Sequence, residues 1–226
     1  MKSRTALLAG ASGLVGGHCL KLLLQDPVYE RIVVLVRSPL NITHERLVQH
    51  VVDFDQLDRF SDRIIASDVF CCLGTTMKTA GSQAAFRTVD YVYPTELARI
   101  SAGNRAEQFL IVTALGADPS SSIFYNRVKG ETEEAVKKNR FQAIHIFRPS
   151  MLLGDRKESR PAERVGSLLM RCFGFVFVGK LRKYRAIQSA EVAQAMVYTA
   201  RQNCTGIHIY ESDVINSLSL DNGRDR

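Results

Sequence analysis

The sequence predicts an α/β fold, a doubly wound parallel sheet with a small C-terminal lobe. Short apolar runs alternate with segments of helical periodicity from residue 4 to residue 149, and this order is typical of parallel strands joined by helices. The apolar runs are continuous, as expected of strands that are buried on both faces. With 226 residues, of which 46% are hydrophobic, the chain is long enough for one domain with a full core.

The strands are predicted from apolar runs that stop at glycine, proline or polar residues. The first run ends at Gly10, the second (RIVVLVR) is rich in β-branched residues, and the fourth stops at Gly74. β-Branched residues favour strands, whereas glycine and proline interrupt them. The predicted strands are 4–10, 31–37, 49–54, 67–76, 108–116, 142–149 and a short one at 206–212.

The helices are predicted where apolar residues recur at spacings of three and four. Pro27 ends the first helix, and Pro94 introduces a kink or marks a first turn in the second. The last helix has an acidic first turn, which the helix dipole favours. The predicted helices are 14–26, 82–102, 124–139 and 189–202.

After Arg148 the alternation of strand and helix ends. Residues 151–185 mix glycine, basic residues and an apolar stretch, SLLMRCFGFVFVG. We predict that they form a small substrate-side lobe within a single domain, residues 1–226. Residues 217–226 are polar and terminal, so we expect this tail to be poorly ordered.

Composition limits the location and the class of the protein. The five cysteines are odd in number and form no CxxC motif, which favours a reducing, cytoplasmic environment without a disulfide framework. The five histidines are scattered singly, so no metal site is expected. No apolar run approaches the roughly 20 residues that a membrane-spanning helix needs.

The N-terminus also imitates a signal peptide, because Lys2 and Arg4 precede an apolar run. Glycines at 10, 13, 16 and 17 interrupt that run, and no clean cleavage site follows Leu24. We therefore favour a strand and a helix here.

The formal net charge of +7 permits an anionic ligand, a nucleic acid or an anionic membrane surface as partner. Basic residues cluster between Arg156 and Arg185. This cluster is either a solvated face, a feature that attracts an anionic substrate, or a contact for RNA or membrane. Aromatic residues do not alternate with the basic ones, as base stacking would require, so nucleic acid is the least favoured partner.

A glycine-rich turn lies between the first predicted strand and helix. Gly10, Gly13 and Gly16 form a G-x-x-G-x-x-G pattern, which in this context predicts a dinucleotide-binding turn of the Rossmann type. The glycines permit a tight turn, close approach of a diphosphate and close packing of the helix. The helix start then offers free N–H groups to the phosphates, with Ser12 as an additional donor. A plain flexible turn is the alternative.

The end of the second strand predicts which dinucleotide binds. A site for NAD(H) places an acidic residue there, whereas this chain has Arg37 and Ser38. A guanidinium suits a 2′-phosphate, so we predict NADP(H) in preference to NAD(H). A solvated surface arginine is the alternative interpretation.

A candidate catalytic pair lies in the predicted helix 124–139. Tyr125 and Lys129 are four residues apart, so they lie on one face of a helix. An ammonium beside a tyrosine favours the phenolate, and such a tyrosine can exchange a proton with a substrate carbonyl or alcohol. The pattern predicts acid–base chemistry at Tyr125, with Lys129 also holding the nicotinamide ribose.

Several stretches together resemble the short-chain dehydrogenase/reductase superfamily in its extended or atypical branch. They are GASGLVG, CCLGTT, VTALGAD, YNRVK and FRPSMLLGDR. The sequences CLGTT, FRTVDYVYP and VKGETE are most similar to the small subgroup of Tat-interacting-protein-like oxidoreductases. The resemblance covers roughly residues 4–212 and implies a Rossmann fold, NADP(H) binding and, as in many members, a homodimer.

The resemblance also implies roles for individual residues. Tyr125 is the acid–base group, Lys129 its partner, and a hydroxyl near the end of the fifth strand binds the substrate carbonyl. Thr113 can supply that hydroxyl and Ala114 cannot, so the triad is incomplete if the hydroxyl belongs at position 114. The predicted cofactor-binding residues are Gly10, Ser12, Gly13, Leu14, Val15, Gly16, Arg37, Ser38, Asp53, Phe54, Leu73, Gly74, Thr75, Tyr125, Lys129, Pro149, Ser150 and Met151.

The sequence thus predicts an NADP-dependent oxidoreductase that acts on a small carbonyl or alcohol substrate. The cluster of basic residues makes an anionic substrate a candidate. Net oxidation or reduction and epimerase- or dehydratase-like use of the cofactor both stay open. A non-catalytic redox sensor that binds NADP(H) and recruits a protein partner is the alternative.

Overall fold

The computed structural model describes residues 4–154, 184–202 and 204–221. Its centre is a seven-stranded sheet in the order β3-β2-β1-β4-β5-β6-β9, and every neighbouring pair in it is parallel. The strands are β1 (Arg4–Ala9), β2 (Tyr29–Val36), β3 (Leu47–Val51), β4 (Asp68–Cys71), β5 (Gln108–Val112), β6 (Ala143–Arg148) and β9 (Gly206–Glu211). The predicted doubly wound parallel sheet is confirmed.

Helices cover both faces of the sheet. They are α1 (Leu14–Gln25), α2 (Met77–Ala80), α3 (Gln83–Arg87), α4 (Tyr93–Gly103), α5 (Phe124–Lys137), α6 (Ser189–Ala200) and α7 (Ser212–Asp221), with a 3₁₀ segment at Phe54–Arg63. One apolar core joins the sheet to α1, α6 and α7, and a second joins it to the 3₁₀ segment, α4 and α5. Along β1, Leu8 enters the first core and Leu7 the second, since side chains alternate across a strand.

The strand order predicts at which edge of the sheet a ligand binds. The chain winds outward from β1 through β2 to β3, and then returns to the other side of β1 with β4. Ligands of such sheets bind in the crevice at the carboxyl ends of the strands where the order reverses. The loops after β1, β4, β5 and β6 all lie at this edge, because the strands are parallel.

The predicted helix over 82–102 is present but not α-helical throughout. Residues 83–103 are continuously helical, and a π-helical turn at Thr88–Val92 lies between α3 and α4. Pro94 lies in the first turn of α4, directly after the π-helical turn. The first part of the predicted tail 217–226 is ordered, because α7 extends to Asp221 and buries Ser219, whereas residues 222–226 lie outside the described residues.

The lobe predicted over residues 151–185 is described only at its two ends, and the prediction stays untested. Residues 155–183, which hold most of the basic cluster, lie outside the described residues. On either side of them, β7 (Leu152–Leu153) pairs in parallel with β8 (Ile187–Gln188).

Candidate functional site

The glycine turn after β1 has the close contacts that its pattern predicts. Gly10 adopts a positive φ of 88°, and a Cβ atom there would lie 2.4 Å from the carbonyl oxygen of Cys72. A Cβ atom at Gly16 would lie 2.1 Å from the carbonyl oxygen of Gly10. Both distances are far below van der Waals contact, so only glycine fits these two positions.

The start of α1 is open for an anion. Gly13 is its N-cap, no side chain caps the helix, and the first turn contains no acidic residue. The amides of Leu14, Val15 and Gly16 therefore have no acceptor within the helix. Ser12 and Gly13 are exposed beside them. Free amides, the positive end of a helix dipole and an absent Cβ fit a diphosphate group.

The loop after β4 connects the glycine turn to the predicted catalytic helix. Gly10 approaches this loop at Cys72, and a Cβ atom at Gly74 would lie 3.7 Å from Nζ of Lys129. The glycine turn and Lys129 therefore contact the same short loop, two residues apart. This is the arrangement that a cofactor lying between them needs.

Lys129 is buried and forms an ion pair with a carboxylate that the sequence analysis did not identify. Its Nζ lies 2.7 Å from Oδ1 of Asp90, and the two residues are 5% and 1% exposed. Burial works to lower the pKa of Lys129, but the Asp90 carboxylate and then Tyr125 raise it, and the net pKa lies above that of an ordinary lysine. Lys129 is therefore a charged group inside the protein.

Tyr125 lies one helical turn before Lys129 on α5 and is half-buried. Its ring packs against Phe86 of α3, with 5.4 Å between the ring centroids. Its hydroxyl makes no hydrogen bond within the described part of the chain. The hydroxyl is thus available to a ligand at the carboxyl edge of the sheet.

The Thr113 hydroxyl binds another residue of α5, Glu133, and makes no hydrogen bond to Tyr125 or Lys129 among the described residues. This buried hydroxyl donates to Oε1 of Glu133 at 2.7 Å, and the same oxygen accepts from Nε of Arg148 at 2.9 Å. The hydroxyl is used in a structural network, so we do not retain Thr113 as the group that binds a substrate carbonyl. Ala114 is buried as well and supplies no hydroxyl.

The residues after β6 lie over the same edge. The carbonyl of Pro149 accepts from the amide of Leu115 at 2.9 Å, Ser150 is half-buried, and Met151 is exposed. A Cβ atom at Gly154 would meet a methyl group of Leu14 at 3.2 Å. This segment therefore passes close to the start of α1, as a strand-end loop bordering the cofactor should.

Four of the predicted cofactor-binding residues, Arg37, Ser38, Asp53 and Phe54, lie just after β2 and β3. Arg37, Ser38 and Asp53 are exposed there. Phe54 is buried, and its ring packs against Tyr93 with 5.4 Å between the centroids. Burial raises the pKa of Tyr93 to about 12, helped by its hydrogen bond to Asp55, so Tyr93 is neutral and donates to that carboxylate.

A cavity of about 460 Å³ opens at the ends of β5, β6 and β9. Its lining includes Gly116, Asn126, Arg148, Ser150 and Glu211. The lining contains both a guanidinium and a carboxylate, together with an amide and a hydroxyl, and is suited to a polar ligand.

Sequence reasoning missed Asp90 and Glu133 because helical periodicity treats an acid inside a helix as a solvated residue. A signal was present at Asp90, where one carboxylate interrupts the apolar run VDYV. Its partner could not be inferred, since 39 residues separate Asp90 from Lys129.

The strand order, the glycine turn and the tyrosine–lysine helix define a Rossmann-fold protein of the short-chain dehydrogenase/reductase type. No family model matches the chain. Individual relatives do: Protein HTATIP2 of Rattus norvegicus is 37% identical over 167 residues, which are 72% of this chain and 69% of the relative. The chain belongs to the family of HTATIP2. Protein fmp52, mitochondrial, of Aspergillus niger is 34% identical over 181 residues, covering 77% of this chain and 75% of the relative.

Solved structures support the same fold. MoeE5 in complex with UDP-glucose and NAD superposes with a TM-score of 0.68 at 15% identity, covering 96% of this chain and 81% of that protein. WbmH of Bordetella bronchiseptica in complex with NAD+ gives a TM-score of 0.68 at 14% identity, with 96% and 79% covered. At these identities the likeness concerns the fold alone.

None of the helices described here has the length and apolarity to cross a membrane. The fungal relatives are called mitochondrial, and these names do not fit the expectation of a purely cytoplasmic protein.

Proposed function

We propose that the protein is an NADP(H)-dependent oxidoreductase that interconverts a carbonyl and an alcohol, with Tyr125 as the acid–base group. One observation carries the proposal. The glycine turn reaches the β4 loop at Cys72, and the Lys129 ammonium reaches it at Gly74, so a diphosphate site and a catalytic pair share one crevice. The solved structures with NAD in related folds are consistent with a nicotinamide cofactor.

The chain's own residues would hold the cofactor along the carboxyl edge. The amides at the start of α1 bind the diphosphate, and Arg37 pairs with the 2′-phosphate that distinguishes NADP(H). Lys129 donates to the hydroxyls of the nicotinamide ribose. When bound, the nicotinamide supplies or accepts the hydride.

Tyr125 exchanges a proton with the substrate oxygen. In the reducing direction its hydroxyl donates a proton to the substrate oxygen, and in the oxidising direction it takes that proton back. The charged Lys129 one turn away stabilises the tyrosine oxygen while it is deprotonated. The cavity beside Asn126 and Ser150 is where we place the substrate.

Calorimetric titration and turnover assays test this function. Wild-type protein should bind NADPH more tightly than NADH and should oxidise NADPH with a member of a panel of small aldehydes and ketones. A Tyr125→Phe variant should keep its NADPH affinity and lose turnover by about a hundredfold or more. A protein that binds neither nucleotide contradicts the proposal.

A second candidate function is a non-catalytic sensor of NADP(H), and the Thr113 hydroxyl favours it. Because that hydroxyl donates to Glu133 and position 114 is alanine, this edge lacks the hydroxyl that the oxidoreductases place at the end of the fifth strand. The sensor predicts tight NADPH binding together with no turnover across the whole panel.

A further inference from the structure

Asp90 is a buried carboxylate at the meeting point of three chain segments. It lies in the π-helical turn Thr88–Val92 and is 1% exposed. Oδ2 accepts from the Thr75 amide at 2.9 Å, and Oδ1 lies 2.7 Å from Nζ of Lys129. Asp90 thus connects the β4 loop to α5 through its side chain.

The backbone around Asp90 is adapted to this connection. The Asp90 carbonyl accepts from the Thr132 hydroxyl at 2.8 Å, which fixes the turn against α5. A Cβ atom at Gly74 would lie 3.3 Å from Oδ1 of Asp90, so glycine lets the loop approach the carboxylate closely. π-Helical turns are rare and concentrate at functional sites, and this one places an acid where an α-helical continuation would place a different side chain.

We propose that Asp90 is a positioning residue that holds the Lys129 ammonium against the β4 loop and keeps it charged for the cofactor. The inference rests on the proposed function, since it assigns Lys129 to the cofactor ribose. It goes beyond that function by giving the lysine a dedicated counterion, which no feature of the tyrosine–lysine spacing implies.

The groups that face Lys129 explain why a carboxylate is needed. Asp90 faces it from the π-helical turn, Tyr125 from α5 and Cys71 from β4. Burial raises the pKa of Cys71 to about 12, so its thiol is neutral. A buried ammonium without a carboxylate beside it loses its proton more readily, and Asp90 is the carboxylate in this set.

The variant Asp90→Asn separates positioning from packing. It keeps the shape of the side chain and an oxygen for the Thr75 amide, but it removes the charge. Asp68→Asn is the matched control, because Asp68 is also fully buried and pairs with an arginine, Arg4, at the opposite, amino end of β4. Asp90→Asn/Lys129→Met removes both charges.

Two measurements are made between about pH 6 and about pH 10, a range that spans the ordinary lysine pKa. The first is the protonation of Lys129 by NMR of protein with ¹³C-labelled lysine, assigned with Lys129→Met, and it needs no cofactor. The second is the Kd of NADPH. In wild type and Asp68→Asn we expect Lys129 to stay charged through about pH 9 and the Kd to change little with pH.

In Asp90→Asn we expect Lys129 to titrate at lower pH and the Kd to rise by about tenfold per pH unit above that midpoint. The double variant should bind weakly at every pH. If the Kd of Asp90→Asn follows pH as in wild type, Asp90 is a packing residue and the inference is overturned.

The outcomes also separate this inference from the proposed function. If wild type binds neither NADPH nor NADH, the proposed function fails, and the positioning role for a cofactor fails with it. The lysine titration still decides whether Asp90 sets the charge of Lys129. If Asp90→Asn does not fold, the wild-type titration decides, and loss of the Lys129 proton below about pH 9 overturns the inference.

Discussion

At the scale of single residues, the proposed preference for NADP(H) over NAD(H) depends on Arg37. Arg37 is exposed directly after β2, where we propose that it pairs with the 2′-phosphate. Replacing it with alanine removes a charge-assisted hydrogen bond of about 1.5–3 kcal/mol. We expect Arg37→Ala to raise the Kd of NADPH by about ten- to a hundredfold and to leave the Kd of NADH almost unchanged, as measured by calorimetry.

Arg31→Ala is the control for this prediction, because Arg31 is also exposed on β2 but lies towards the amino end of the strand. Equal losses for both nucleotides in Arg37→Ala would mean that Arg37 contacts a group common to both. Equal losses in the two variants would indicate a general effect of net charge.

Thr113 shows how a residue predicted for chemistry can serve structure instead. Its hydroxyl donates to Glu133, which is fully buried and also binds Arg148. Thr113→Val should therefore reduce the free energy of unfolding by about 1–3 kcal/mol, because a buried carboxylate loses one donor. Urea denaturation measures this loss. Loss of turnover at unchanged stability would restore Thr113 as a substrate-binding group.

At the scale of elements, the sequence predicts the glycine turn well because one of its tightest contacts is local. Gly16 approaches Gly10 within the seven-residue G-x-x-G-x-x-G pattern, whereas the approach of Gly10 to Cys72 in the β4 loop is not encoded there. The π-helical turn was missed for the opposite reason. It depends on Asp90 reaching Lys129 and Thr75 in other segments, and periodicity within 82–102 contains no record of those partners.

The glycine turn also provides a test at this scale. A Cβ atom at Gly16 would lie 2.1 Å from a backbone oxygen that cannot move away easily. Gly16→Ala should cost about 1–3 kcal/mol of stability and abolish NADPH binding, since α1 must shift. Thermal unfolding and calorimetry measure the two effects.

Gly103→Ala is the matched control for the turn. A Cβ atom at Gly103, the last residue of α4, has no atom within 4 Å. This substitution should leave binding intact and should stabilise the protein by up to about 1 kcal/mol. If Gly16→Ala binds NADPH as wild type does, the turn is not the diphosphate site.

At the scale of the whole molecule, the sequence predicts the class of sheet but not the polar side-chain contacts between its strands. Alternating strands and helices determine a doubly wound sheet, and seven parallel strands are found. Alternation does not predict the polar side chains that join strands adjacent in the sheet but distant in sequence. His145 of β6 is an example: it was treated as part of an apolar run, yet it is fully buried between Gln108 of β5 and Tyr210 of β9.

We expect the titration of His145 to make the free energy of unfolding depend on pH. Burial, and then the neighbouring His208, lower the pKa of His145 to about 4, whereas an unfolded histidine titrates near pH ~6.5. Between these values the unfolded chain binds the extra proton, so the free energy of unfolding should fall as pH drops through this window, by up to about 3 kcal/mol.

His145→Gln keeps polar atoms at the position and removes the titration. Urea denaturation at about pH 7 and about pH 4.5 should show a smaller loss for the variant than for wild type. An equal loss in wild type and variant would assign the acid sensitivity to groups other than His145.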